Sequence, residues 1–251
     1  MGNEEGLMPL PSWAAADRGG LPLGSPTGEI FDPPSCDTVL EEHFWFFQNG
    51  DVAKLRSTCA LVNVYLTSVG RASNFILNIA PDASGGIQPA EVAAYAALGD
   101  AIDCLWRAPI SNWTAAVPVD LSTGIAPLPL PTAQSCAAPS ACKLSFVVQE
   151  ELASSGQRIG TFAVEARVGG TWVSAVESDM PVAALTGIGH KRIIGLSIAA
   201  GASYDALRVR VLTAFTADGD AAAPISLRSA ALYDRDSTEK CLPQGCDLVA
   251  W

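Results

Sequence analysis

Charged residues are scarce in this sequence, and basic residues are the smaller share of them. Charged residues make up 16% of the 251-residue chain, and 26 acidic residues outnumber 15 basic ones, which gives a formal net charge of −11. A chain of this sign is repelled by the phosphates of nucleic acids and by anionic membrane surfaces. We therefore expect neither a nucleic acid nor a membrane as partner, whereas a neutral ligand such as a sugar is unaffected.

Several sequence signals are missing altogether. No apolar run reaches the roughly 18 residues of a membrane span, and the opening MGNEEGLMPLP lacks the basic and apolar regions of a signal peptide. The chain has two histidines and shows no metal-ligand spacing, phosphate-binding loop or nucleophile elbow, so we expect no cofactor and no metal. Apolar residues are plentiful, at 49% of the chain, which is enough for a substantial core.

Seven cysteines are present, and four of them form two pairs that are close in sequence. Cys136 and Cys142 make one pair, Cys241 and Cys246 the other, and both lie in segments rich in Pro, Gly or Ala. Four thiolates can bind zinc, but these spacings differ from the usual CxxC pattern, so we expect two local disulfides. Disulfides and the glycosylation sequon at Asn112 indicate a secretory history, and without a signal peptide we expect that the natural N-terminus is missing.

The first 110 residues combine loops, helices and one buried strand. A Gly- and Pro-rich opening is followed by a helix predicted at 51–66, a short apolar strand at 74–80 and a helix at 89–105. A helix, a polar turn and a buried strand make up half of a parallel βαβ unit. We expect the second helix to pack on this strand through one side, formed by Val92, Tyr95, Ala96, Gly99 and Ile102.

The rest of the chain has a different composition. Residues 111–142 are rich in Pro, Ala, Ser and Thr and predict a linker or an irregular entry into a β-sandwich domain. From 143 to 251, six short runs alternate apolar and polar residues between Gly, Asp and Ser turns, a pattern typical of an antiparallel β-sandwich. The predicted fold class is therefore α+β and mainly β.

Several motifs occur in a fixed order along the chain. The opening reads GNEEG, followed by Pro11 and Trp13; residues 34–46 read PSCDTVLEEHFWF; and residues 68–82 read SVGRASNFILNIAPD. The second part contains GQR at 156–158 and IGHKRI at 188–193. Together these segments resemble the α-L-fucosidase family of glycoside hydrolases, in its branch with plant-type and bacterial 1,3/1,4-fucosidases.

The resemblance implies a (β/α) barrel that carries the active site, followed by a C-terminal β-sandwich. Residues 1–110 would be the C-terminal remnant of that barrel, ending with its last strand, and most βα units would be absent. An incomplete barrel leaves a strand edge with unpaired backbone groups. We therefore expect this part to be poorly stable unless another chain covers its edge.

The family's chemistry, as the resemblance implies it, is hydrolysis of terminal α-L-fucosyl linkages by a retaining mechanism with two carboxyl groups. The nucleophile would precede Met1, and the acid/base glutamate corresponds to Ser35, which cannot donate a proton near neutral pH. On an extended segment the side chain of Asp37 would point in the same direction as that of Ser35. Asp37 is therefore either a substitute for the missing acid/base glutamate or a turn residue. We expect the chain to be inactive alone, either as part of a fucosidase or as a non-catalytic carbohydrate-binding or structural protein.

The resemblance also implies contacts with a fucosylated glycan. The predicted substrate-binding residues are Asn3, Glu4, Trp13, His43, Trp45 and Phe46. Aromatic rings stack on sugars but are also typical of a core edge, and Glu4 is equally typical of a solvated surface.

Other motif residues are predicted to be structural. Asn74 and Asn78 would hold the end of the barrel, and Arg71 would bind carboxylates or carbonyls. His190 is likewise expected to be structural. The family and the cysteines together predict a secreted protein or one of the lysosomal or vacuolar lumen.

Overall fold

Two α-helices and fourteen strands, most of them antiparallel, make up the part of the chain that the structure describes. The computed structural model describes residues 2–18, 24–47, 54–151, 157–215, 224–235 and 239–248. The helices are α1 (Thr58–Ser68) and α2 (Pro89–Leu105). The strands are β1 (Gly2–Asn3), β2 (Ala15–Ala16), β3 (Ile30–Phe31), β4 (Ser35–Val39), β5 (Asn74–Asn78), β6 (Ser111–Trp113), β7 (Val117–Pro118), β8 (Ile125–Ser135), β9 (Cys142–Glu150), β10 (Phe162–Val168), β11 (Thr171–Ser174), β12 (Arg192–Ile198), β13 (Ser203–Val211) and β14 (Ser226–Asp234). None of the described helices is long and apolar enough to cross a membrane.

The second part of the chain is a sandwich of two antiparallel sheets. One sheet has the order β12-β9-β14-β6, with β7 also beside β14, and the other has the order β11-β10-β13-β8. Their facing side chains form one core, which includes Leu128, Phe146, Phe162, Ile194 and Leu207. The prediction of a mainly β chain with antiparallel sheets is therefore confirmed.

The segment predicted to be a linker is part of this sandwich. Residues 111–142 contain β6, β7 and β8, and β8 pairs along its length with β13. Pro127, Pro129 and Pro131 occupy alternate positions of β8, which is the last strand of its sheet. An edge strand tolerates such prolines because alternate N–H groups point away from the neighbouring strand. These residues are therefore strands of the sandwich and not a linker, because prolines at a sheet edge do not interrupt the strand.

A smaller parallel sheet lies in the first part of the chain. Its order is β1-β4-β5, and both pairs are parallel. Helix α1 connects β4 to β5, and its Leu61, Val62 and Leu66 are buried against α2 and the sheet. This arrangement is the predicted helix–turn–strand unit, and it places one face of β5 on the helices.

Both helices differ in detail from the prediction. Helix α1 begins at Thr58, because the Ser57 hydroxyl caps it by accepting the Ala60 N–H at 3.2 Å; residues 51–53 lie outside the described part. Helix α2 has its predicted bounds but buries Leu98, Ala101 and Leu105. The expected side is wrong, since Val92 and Tyr95 are about half exposed. Helix α2 carries apolar residues on more than one of its faces, so their spacing does not identify which face is buried.

Three disulfides are formed in the described residues. Cys136 and Cys142 pair with each other, whereas Cys246 pairs with Cys59 of α1 and Cys241 pairs with Cys104 of α2. The predicted local bond between Cys241 and Cys246 is therefore wrong. The C-terminal segment crosses both helices, where the Asn63 side chain donates to the Asp247 carbonyl at 3.0 Å, so each of its cysteines meets a helix cysteine.

Candidate functional site

One face of the parallel sheet is open and carries Ser35, which the resemblance predicts at the acid/base position. In the parallel register Ser35 lies beside Asn74, and Asp37 lies beside Ile76. Since side chains alternate along strands, Ser35, Asp37, Ile76 and Asn78 share this face. Ile76 is 55% exposed. The predicted common direction of Ser35 and Asp37 agrees with this geometry.

The opposite face of β4 is packed. Cys36 is buried and is the free cysteine of the described residues. Its sulfur accepts a hydrogen bond from the Ser73 hydroxyl at 3.2 Å and lies 3.9 Å from the Met8 sulfur. Burial raises the pKa of the Cys36 thiol. Cys36 therefore holds β4 to Ser73 and Met8. The face of β4 that carries Ser35 is the one open to a ligand.

The aromatic segment lies at the other end of the same strands. The Asn78 side chain donates to the Trp45 carbonyl at 3.0 Å, so β5 holds this segment directly. Lys54 lies over the Phe44 ring at 4.4 Å from its centroid, whereas His43 is exposed and Phe46 is 80% exposed. The segment is thus partly packed and partly exposed to solvent, and Phe46 has its most exposed ring.

The predicted acid/base position and the predicted aromatic sugar contacts lie at opposite ends of β4 and β5. Ser35 and Asn74 begin β4 and β5, whereas Asn78 and the aromatic segment lie at their carboxyl ends. Four residue steps along a strand cover about 13 Å. His43, Trp45 and Phe46 therefore line a different part of the sheet from Ser35.

Trp13 does not belong to the open face. Its side chain is buried and packs edge-to-face on Phe215, with ring centroids 5.2 Å apart. The next residue, Ala14, donates its N–H to Gln157 Oε1 at 3.0 Å. The predicted sugar contact of Trp13 is wrong, because this ring joins the opening loop to the sandwich.

The remaining candidates have mixed surroundings. Glu4 is exposed, while the side chain of Asn3 lies outside the described part. Arg71 donates from Nη1 to the Met8 carbonyl at 2.9 Å, which agrees with a role in holding carbonyls. Asn74 is exposed, and its backbone N–H donates to the Pro34 carbonyl at 2.9 Å. His190 is half-buried, and burial, then the Lys191 and Arg192 charges, lower its pKa.

Sequence reasoning missed a buried charged group beside the motifs of the second part. Glu150 is almost fully buried and accepts backbone N–H groups from Arg158, Ile159 and Gly189 at 2.5, 2.8 and 3.3 Å. Burial raises the pKa of Glu150 to about 7. The motifs gave a sign of this group, since two of its partners, Arg158 and Gly189, lie in the GQR and IGHKRI segments. No cluster of three or more His, Cys, Asp or Glu side chains suited to a metal occurs in the described ranges.

Comparison with known proteins gives matches among solved structures. No protein-family model matches the chain, and neither does any curated protein. A structure assigned as an α-L-fucosidase from Bacteroides thetaiotaomicron is 24% identical, with a TM-score of 0.69, and the match covers 92% of this chain and 49% of that one. A glycoside hydrolase family 29 fucosidase from Ruminococcus gnavus, solved with fucose, is 18% identical, with a TM-score of 0.64 and coverage of 96% and 51%.

These matches define a class of fold. The chain spans about half the length of the solved fucosidases that it matches. Its fold resembles the C-terminal part of the α-L-fucosidases of glycoside hydrolase family 29.

Proposed function

We propose that this chain is the fucose-facing C-terminal part of an α-L-fucosidase fold and has no hydrolase activity alone. The observation that carries the proposal is the open face of the parallel sheet, where Ser35, Asp37 and Asn78 face away from the helices. In this proposal, β1, β4 and β5 are the last strands of a (β/α) barrel whose interior they would line. The solved fucosidases of the same fold support it.

The absence of activity follows from the groups on that face. Retaining hydrolysis needs two carboxyl groups about 5–5.5 Å apart, one of them a proton donor. Ser35 stands at the family's acid/base position, and its hydroxyl does not ionise near neutral pH. Asp37 is one carboxylate on this face and supplies at most one of the two groups. We propose that none of these 251 residues serves as the nucleophile.

An assay with an aryl α-L-fucoside tests this proposal. We expect no turnover above the background of buffer from the wild-type chain or from the Ser35→Glu variant, since both lack a nucleophile. The Asp37→Asn variant removes the carboxylate of this face and shows whether any turnover depends on it. Turnover by the wild type that Asp37→Asn removes would overturn the proposal and assign catalysis to Asp37.

A non-catalytic sugar-binding function is the second candidate, and the exposed Phe46 ring favours it. Apolar C–H faces of a sugar stack on such a ring. Calorimetric titration with fucose and with fucosylated oligosaccharides should give binding heat that Phe46→Ala removes. Folded protein that gives no heat with either ligand would exclude this function.

We also propose that the protein works in an oxidising compartment, outside the cell or in a lysosomal or vacuolar lumen. Three disulfides support this location, because such bonds persist where thiols are not kept reduced. Asn112 of the sequon is exposed on β6 and accessible to a glycan. Endoglycosidase treatment of protein from secreting eukaryotic cells should increase gel mobility, and Asn112→Gln should remove that change; identical mobility with and without the enzyme would contradict glycosylation.

A further inference from the structure

Two arginines meet in the buried junction between the parallel sheet and the sandwich. Arg71 and Arg192 pair through an isolated antiparallel bridge, and the Ile193 N–H donates to the Gly70 carbonyl at 2.9 Å. Arg192 is 1% exposed. Burial, and then the charge of Arg71, lower the pKa of Arg192 to about 9. Two like charges are therefore held near each other with little access to water.

The hydrogen-bond partners of both guanidinium groups are neutral carbonyls. Arg192 donates from Nε to the Gly187 carbonyl and from Nη2 to the Thr186 carbonyl, each at 2.9 Å. Arg71 donates from Nη1 to Met8. Arg192 Nη1 and Arg71 Nε are buried and have no hydrogen-bond partner in the described part of the chain. Each guanidinium thus keeps an unused donor.

A third unused donor faces the turn whose carbonyls accept from Arg192. Gln157 is 2% exposed, and its Nε2 is buried without a hydrogen-bond partner among the described residues. This nitrogen would lie 2.8 Å from a Cβ added at Gly187 and 3.5 Å from one at Gly189. The Gly187 carbonyl is also the acceptor for Arg192. Gln157 and Arg192 therefore border the same turn.

The nearest carboxylate on this turn is already engaged. Glu150 accepts the Gly189 N–H, but its oxygens also accept the N–H groups of Arg158 and Ile159. Three buried donors near the turn thus remain unused, and two of them belong to the guanidinium groups of Arg71 and Arg192. A buried charge is stable only when it is paired, and truncating one partner of such a pair is costly.

We infer that Arg71, Gln157 and Arg192 form a binding site for a small inorganic anion of the size of chloride. An anion at this turn would accept charge-assisted hydrogen bonds from the unused donors and offset one of the two guanidinium charges. It would also join three separate segments, since Arg71 holds the opening loop through Met8, and Gln157 holds it through Ala14. The site is thus an anion-dependent clamp between the parallel sheet and the sandwich.

Thermal unfolding of the full chain in potassium chloride and in potassium gluconate tests the site at constant ionic strength. A ligand at a hundred times its dissociation constant should raise the melting temperature of a protein of this size by roughly 5 to 10 °C. We expect a saturable rise as chloride replaces gluconate. An equal melting temperature in all mixtures would overturn the inference.

The Gln157→Glu variant tests the position of the anion. A glutamate has nearly the shape of glutamine, keeps the oxygen that accepts the Ala14 N–H, and places a negative charge at the unused donor. We expect this variant to lose the chloride-dependent rise. Gln88→Glu is the matched control, because Gln88 Nε2 is also buried without a described partner but belongs to the start of α2. A chloride response that persists in Gln157→Glu would contradict this site.

Crystals grown in bromide give an independent measurement. We expect an anomalous difference peak within hydrogen-bonding distance of Arg192 Nη1, and its loss in Gln157→Glu. Density there without an anomalous signal would mean that water satisfies these donors, and would overturn the anion assignment even if the variants fail to fold.

Discussion

Trp13 and Phe46 lie in opposite environments, although both belong to the first fifth of the chain. Trp13 is 7% exposed against Phe215 of the sandwich, whereas Phe46 is 80% exposed beyond the end of β4. Burial of an aromatic side chain contributes strongly to stability, while an exposed ring contributes little. The two residues therefore allow core packing and ligand contact to be measured separately.

We predict that Trp13→Ala lowers the free energy of unfolding by about 3–5 kcal/mol, the usual cost of emptying a buried aromatic site. Phe46→Ala should change it by less than about 0.5 kcal/mol, as expected for an exposed position. Urea unfolding followed by circular dichroism measures both values. A small effect at Trp13 together with a large one at Phe46 would contradict the packing described above.

Glu150 should make stability depend on pH. Its pKa rises from 4.5 to about 7 on folding because burial disfavours the charged form. Between these values the unfolded chain releases a proton that the folded chain retains, so stability falls as pH rises from about 4.5 to 7. At about 1.4 kcal/mol per pKa unit, the loss is on the order of 3 kcal/mol.

Unfolding of the wild type, Glu150→Gln and the exposed neighbour control Glu151→Gln at several pH values measures this contribution. We expect the free energy of unfolding to fall more for the wild type than for Glu150→Gln as pH rises across this range. Glu151→Gln should follow the wild type throughout. A constant difference for Glu150→Gln would show that this carboxyl group does not titrate in the window.

At the scale of elements, the local sequence pattern predicts the type of an element more accurately than its packing partners. The strands β9–β14 and helix α2 follow from alternation, turn residues and proline at a first turn. The burial of Leu98 rather than Tyr95 depends on where α1 lies, which no local pattern in α2 contains. The same holds for β8, whose prolines are compatible with a strand only because it lies at a sheet edge.

The disulfides of the helices should stabilise more than the local one. The Cys59–Cys246 bond spans 187 residues, and the Cys136–Cys142 bond spans 6. The Cys104–Cys241 bond shortens the loop that Cys59–Cys246 closes to about 50 residues, so chain-entropy estimates give about 4 kcal/mol for this bond and about 2 kcal/mol for the local one. Urea unfolding of the two double Cys→Ser variants should show this order. Equal losses, or a larger loss for Cys136→Ser/Cys142→Ser, would mean that the helices are held mainly by packing.

At the scale of the whole molecule, the two parts of the chain differ in how completely they are enclosed. The sandwich has a continuous core between two sheets, and β9 lies between β12 and β14. The parallel sheet is covered by helices on one face, while the other face exposes Ile76. The sequence pattern predicted the helix–turn–strand unit of this sheet, but not its ties to the sandwich. Those ties involve Arg192, Ile193 and the C-terminal cysteines, which lie more than 100 residues away in sequence and come close only in the folded chain.

This difference predicts an uneven distribution of local stability. In the described sheet β5 pairs with β4 on one side, so its amides should open without unfolding of the sandwich. We expect amides of Asn74–Asn78 to exchange with deuterium on the order of 100-fold faster than those of Cys142–Glu150, because opening free energies are lowest where few neighbours enclose a strand. Measuring exchange at two protein concentrations separates the alternatives. Protection of β5 that equals that of β9 at both concentrations would contradict the prediction, and protection that increases with concentration would mean that a second copy of the chain covers the open edge.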